Sequence, residues 1–108
     1  ERAMNDLLAE IKLRRTRPAE VLVLRIGNTA WAAIPAEYFV EFGLRIKLAA
    51  HPRHALVVEA ANGMIGYVPT REAFAHGGYE TTFAPTSCMA QETGDLLADA
   101  AVALIKGL

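Results

Sequence analysis

The fold turns on Val21-Leu-Val-Leu-Arg-Ile26-Gly27-Asn28-Thr29-Ala30-Trp-Ala-Ala-Ile34-Pro35-Ala36-Glu37. Val21–Ile26 and Ala30–Ile34 are apolar, rich in Val, Ile and Trp, and separated by Gly-Asn. Two such runs around a Gly-Asn turn predict a β-hairpin. Both runs are nearly continuously apolar, which predicts a sheet covered on both faces. Pro35 ends the second run.

Reading outward from the hairpin, Met4, Leu7, Leu8 and Ile11 recur at helical spacing. They predict a helix over 2–14, broken by Pro18. Downstream, Tyr38, Phe39, Phe42 and Ile46 predict a helix over 36–49, closed at His51-Pro52. Ala55–Ala60 reads as a further buried strand, Asn62-Gly63 as a turn and Met64–Val68 as a short extended piece. Thr70 is placed to N-cap one or two helical turns through Phe74. Gly77-Gly78 frees the backbone before a loop over 79–87. Leu96, Leu97, Ala100, Ala101, Leu104 and Ile105 predict a last helix over 89–106, with Gly107 at its end. The order is helix, strand, strand, helix, strand, extended loop, helix. It gives an α/β or α+β layer in which amphipathic helices pack a small sheet. A length of 108 residues gives one domain, or a C-terminal segment of a larger catalytic domain.

Bulk composition narrows the function classes. Apolar residues make up 53% of the chain and aromatic ones 7%, so Ala, Leu, Val and Ile supply the packing. The formal net charge of −1 provides no electrostatic footprint for nucleic acid. Arg14, Arg15 and Arg17 read as a solvated loop after a helix. A lone cysteine, Cys88, excludes an internal disulfide and reads as an ordinary thiol. No run approaches the roughly 20 apolar residues of a membrane helix, and the opening at Glu1 reads as an internal start rather than a signal peptide. The compartment is left open.

Three places carry unusual residue patterns. In Ile34-Pro35-Ala36-Glu37 a carboxylate follows a buried strand. Acids at helix starts are common on electrostatic grounds, but a strand end is also a rigid platform for a metal ligand or base. Asn62-Gly-Met-Ile-Gly-Tyr67-Val-Pro-Thr70 surrounds a tyrosine with two glycines and a proline. Gly77-Gly78-Tyr79-Glu80-Thr81-Thr82 is a polar, glycine-rich stretch around a second tyrosine. His51-Pro-Arg-His54 has spacing for two ligands on a turn, but the proline opposes a helix there, and His76 reads as a loop residue. No classical zinc pair, phosphate-binding loop, nucleotide fingerprint or Gly-x-Ser-x-Gly occurs.

In order and register these three stretches resemble the end of the catalytic domain of the neutral, non-lysosomal ceramidases. The matching pieces are Pro35-Ala-Glu37, Asn62 through Tyr67-Val-Pro-Thr70-Arg-Glu72-Ala-Phe74, and Tyr79-Glu80, within roughly 20–108. The resemblance implies a zinc-dependent amide hydrolase acting on an N-acyl sphingolipid or a related amide. It implies that Glu37 and Tyr67 are ligands of one zinc ion. It implies that Tyr79 is the catalytic tyrosine that donates to the scissile carbonyl oxygen. The remaining histidine ligands and the active-site serine would come from an upstream part of the same enzyme, leaving this segment inactive alone. It further implies a secreted, periplasmic or membrane-associated setting. The substrate-binding residues are unassigned. Tyr38-Phe39 and Pro69 stand where the family often has threonines, which bears on the substrate. The competing expectation is a non-catalytic α/β structural or interaction module, a degenerate relative of that family.

Overall fold

The computed structural model describes all residues, 1–108. A helix α1 (Arg2–Leu13) precedes the hairpin of β1 (Leu22–Ile26) and β2 (Thr29–Ala33). The chain then forms a short strand β3 (Glu37–Tyr38), helix α2 (Val40–Ala50), strand β4 (His54–Val58) and short strand β5 (Tyr67–Val68). Helix α3 (Arg71–His76), a single 3₁₀ turn (Tyr79–Thr81) and helix α4 (Thr93–Lys106) complete it. The α/β class, the hairpin, the Thr70 cap and the long C-terminal helix follow the sequence expectations.

β2 is the central strand of a three-stranded sheet, antiparallel to β1 and parallel to β4. Parallel strands need a crossover, and α2 supplies it. Helices α2 and α4 pack on one face, where Ala30 and Ala32 of β2 are fully buried. Small side chains there let the helices approach closely. Ile34, Ile46, Ile105 and Val68 fill the core. Gly94 of α4 lies over the Phe42 ring, where a Cβ would fall 2.0 Å from a ring carbon. Phe42 in turn stacks on Tyr38, with centroids 4.8 Å apart.

Three expectations are corrected. Only one sheet face is covered: Leu24, Trp31 and Leu56 on the other are 53%, 39% and 41% exposed. A continuous apolar run does not reveal which of its two faces the chain's own helices cover. The expected helix over 36–49 begins only at Val40, because Glu37 and Tyr38 pair with Tyr67 and Val68 as a second, parallel sheet. Glu37 is therefore a strand residue and not a helix cap; the acid in the first turn of α2 is Glu41. The last helix begins at Thr93, and its buried stripe is Gly94, Leu97, Ala98, Ala101 and Ile105. Leu96 and Leu104 lie outside that stripe and are exposed.

Tyr38 is buried, and its hydroxyl donates to the Gly94 carbonyl oxygen at 2.7 Å. Burial pushes its pKa well above the usual phenol value. In the unfolded chain the phenol ionises at about 10. Above that pH the unfolded state holds fewer protons than the folded one, so stability falls as pH rises. Thermal unfolding scans should show a constant contribution from this group below about pH 10 and a progressive loss above it. Tyr38→Phe should flatten that alkaline loss while costing about 1–2 kcal/mol at neutral pH, because the Gly94 carbonyl loses its donor.

Candidate metal and substrate site

The site forms beyond the carboxyl ends of the parallel strands β2 and β4, where open α/β sheets commonly bind ligands. The buried stretch Ile34-Pro35-Ala36 leaves β2 and is strapped by the loop that leaves β4. Ile34 N–H donates to Val58 O at 2.9 Å, Ala60 N–H to Ala36 O at 2.9 Å and Ile65 N–H to Pro35 O at 2.8 Å. This strapping delivers two strands side by side. Glu37 N–H donates to Gly66 O at 2.9 Å, and Glu37 and Tyr67 are register partners of the parallel β3–β5 pair. Side chains of register partners leave the same face of a sheet.

Gly66 makes this approach possible. Its φ of +97° suits glycine, and a Cβ there would sit 2.5 Å from the Thr86 carbonyl oxygen. That same oxygen accepts the Tyr67 N–H at 2.8 Å. Thr86 is held by a tight turn in which Ala84 and Ser87 exchange backbone hydrogen bonds of 3.0 and 2.9 Å.

Tyr79 enters from the 3₁₀ turn after Gly77-Gly78, whose φ values are +78° and +134°. Thr82 Oγ1 donates to the Gly78 carbonyl oxygen at 2.7 Å, and Ser87 Oγ donates to the Glu80 carbonyl, pinning the turn at both ends. The Tyr79 ring meets the Tyr67 ring edge to face, with centroids 5.6 Å apart and planes at 82°. Tyr79 is 70% exposed, so its phenol is free to meet a ligand. The structure thus brings together all three residues singled out in the sequence: Glu37, Tyr67 and Tyr79.

The electrostatics follow from this juxtaposition. The Glu37 carboxylate, as an acceptor facing the Tyr67 phenol, pushes that phenol's pKa above its ordinary value; nearby Tyr79 and Glu80 act in the same direction. A carboxylate and a phenol side by side are oxygen donors of a kind that a divalent cation such as zinc could take.

Two acids at this end of the molecule had no role in the sequence reading. Glu59 accepts the Tyr38 N–H through Oε2 at 2.8 Å and so anchors β3 beside Glu37. The sequence reading had placed Glu59 inside the expected strand 55–60; β4 ends instead at Val58, which leaves Glu59 just beyond it. Glu80 adds negative charge near Tyr67. No group of three His, Cys, Asp or Glu side chains converges anywhere in the chain. His51 and His54 lie at the opposite end of β4 from Tyr67 and are exposed. A separate cleft of about 550 Å³ runs between α1 and α4, past Leu7, Ile11, Arg17 and Leu97, and does not include the site residues. No helix is long and apolar enough to cross a membrane.

No family model and no curated protein sequence matches the chain. Among solved structures, the neutral ceramidase from Pseudomonas aeruginosa superposes with a TM-score of 0.63 at 31% identity. A ceramidase complexed with C2 gives the same values. In each case the match covers 82% of this chain. This chain resembles a region of a neutral ceramidase. The ceramidase-like region spans only 15% of the length of those chains. The identity is high enough to extend the likeness beyond the bare arrangement of helices and strands.

Proposed function

We propose that this chain is part of a zinc-dependent amide hydrolase in which Glu37 and Tyr67 hold the metal and Tyr79 serves the scissile carbonyl. The substrate would be an N-acyl sphingolipid or a related amide. The observation that carries this reading is the register pairing of Glu37 with Tyr67, with Tyr79 edge-on to Tyr67. The likeness to ceramidases supports it.

The donor set fits half of a zinc site. A carboxylate oxygen is an ordinary zinc ligand, and a phenol becomes more acidic beside a cation. The remaining donors would come from polypeptide outside these residues. A zinc ion held there would polarise the amide carbonyl or lower the pKa of a water. Glu37 contributes negative charge and a fixed position, because its backbone is bonded to Gly66. Tyr67 gives up a proton that Glu37 otherwise favours keeping. Tyr79, anchored by its pinned turn, donates its phenolic hydrogen bond to the carbonyl oxygen as charge develops.

One consequence is measurable without turnover. Because the Tyr67 proton must leave when the metal enters, zinc affinity should strengthen as pH rises. In a ceramidase-length polypeptide carrying this region, Tyr67→Phe should weaken zinc and remove that part of the pH dependence. Competition against a chelator across a pH series reads both. Unchanged affinity in Tyr67→Phe would count against the assignment.

The competing reading is a non-catalytic module, favoured by the lack of a third converging donor within the chain. Zinc retention in the longer polypeptide separates the two.

A further inference from the structure

The cleft of about 550 Å³ between α1 and α4 lies apart from the Glu37–Tyr67 site, and its volume suits a small molecule. Residues four apart on a helix share a face. Leu7 and Ile11 line the α1 wall, and Leu96, Ala100 and Leu104 line the α4 wall. Leu96 and Leu104 are the two leucines that miss the buried stripe of α4, at 62% and 46% exposed. Their place in the cleft wall gives a use to side chains that the core leaves out.

The cleft also carries excess positive charge. Arg14, Arg15 and Arg17 line it, and its only acids are Glu10 and Glu92. One positive charge is thus in excess, within a chain of net charge −1. Glu10 is shared, its Oε1 lying 3.3 Å from Arg17 Nη2 and 4.0 Å from Arg14 Nη2. Arg15 makes no ion pair. Arg17 is the best placed of the three. Its guanidinium reaches from Glu10 on α1 to Cys88 ahead of α4, where Nη1 is 3.8 Å from the thiol sulfur. The Arg17 side chain is only 29% exposed, yet of the five N–H donors of a guanidinium just one meets a protein oxygen. A half-buried cation with spare donors is a receptor for an anion, and its planar fork matches a carboxylate.

We propose that this cleft binds a long-chain fatty acid, its alkyl chain between the apolar walls of α1 and α4 and its carboxylate on Arg17, with Arg15 beside the head group. One negative charge neutralises the one excess positive charge, which favours a carboxylate over a dianionic phosphate head. An alkyl chain covers the leucines at no polar cost. A peptide would bring backbone N–H and C=O groups that such walls cannot satisfy. Hydrolysis of an N-acyl amide releases a carboxylate of this kind, but the inference stands on the cleft alone and needs neither zinc nor Glu37.

The test titrates myristate, as monomer and without zinc, into the folded 108-residue chain. The expected result is one molecule per chain, bound about tenfold or more tightly than its methyl ester, the usual worth of a hydrogen bond to a charged group. Arg17→Gln should remove that preference and leave binding of the ester unchanged. Arg15→Gln, which breaks no ion pair, should lower myristate affinity about threefold. Ala100→Trp, at an exposed position in the wall, should block both ligands, while Lys47→Gln on the exposed side of α2 should change neither. Cys88, the only cysteine, also lines the cleft, so bound myristate should slow its alkylation by iodoacetamide. Absence of binding would overturn the inference. So would equal affinity for acid and ester, full myristate affinity in Arg17→Gln, or binding that leaves Cys88 alkylation as fast as before. None of these measurements reads zinc, so their failure leaves the metal assignment to its own test.

Discussion

Glu37→Ala, introduced into a ceramidase-length polypeptide carrying this region, is expected to release zinc and lower amide hydrolysis by more than about 100-fold. Losing a direct ligand should exceed the roughly 10–100-fold cost of losing an outer-shell partner. Tyr79→Phe is expected to behave differently. It keeps the ring that packs edge-on against Tyr67 and removes only the phenolic hydrogen. Zinc content should be unchanged while kcat falls about 100-fold, the usual effect of deleting one donor to a developing oxyanion. Metal analysis beside steady-state kinetics on an N-acyl amide distinguishes the two. Full zinc in Glu37→Ala, or full rate in Tyr79→Phe, would remove the corresponding role.

The second large effect is on the scaffold. Gly66→Ala is expected to cost about 3 kcal/mol or more, from backbone strain of about 1–3 kcal/mol and overpacking of similar size. The added methyl would meet backbone, the Thr86 carbonyl, rather than a side chain that can turn away. Relief requires moving either Gly66, whose carbonyl accepts the Glu37 N–H, or Thr86, whose carbonyl accepts the Tyr67 N–H. Both routes separate the two candidate ligands. Gly27 is the internal control: its φ is +61°, but nothing lies within 4 Å of a Cβ there. Gly27→Ala should therefore cost only about 1 kcal/mol. Denaturant titration of the two variants reads the difference, and equal costs would contradict the tight approach at Gly66.

What the sequence revealed followed from local chemistry. Gly27-Asn28 between two β-rich runs specifies a hairpin because the turn's backbone needs are met within a few residues. Thr70 caps α3 for the same reason, its Oγ1 accepting the Ala73 N–H at 3.1 Å. Glu37 was misread as opening a helix because its partner, Tyr67, lies far along the chain, and helical spacing in 38–46 says nothing about such pairing. The expected α4 stripe was right at Leu97, Ala101 and Ile105 and too wide at Leu96 and Leu104, which have the right chemistry but lie outside the buried face. At the site, Tyr67 and Tyr79 stood out through the glycines around them. Glu59 did not, since a carboxylate that ends a strand looks the same whether it faces water or tethers a neighbour. The bare sheet face was hidden because an apolar run reads the same whether one of its faces is covered or both.

The central claim is that Glu37 and Tyr67 share one metal ion. Anomalous diffraction at the zinc edge from crystals of the ceramidase-length polypeptide carrying this region tests it most directly. The expected result is a single zinc peak about 2.1 Å from both the Glu37 carboxylate and the Tyr67 phenol oxygen, with Tyr79 facing the same cleft. A zinc peak held by other residues, with Glu37 and Tyr67 both outside its coordination sphere, would contradict the account and leave a folded ceramidase-like module without this metal site.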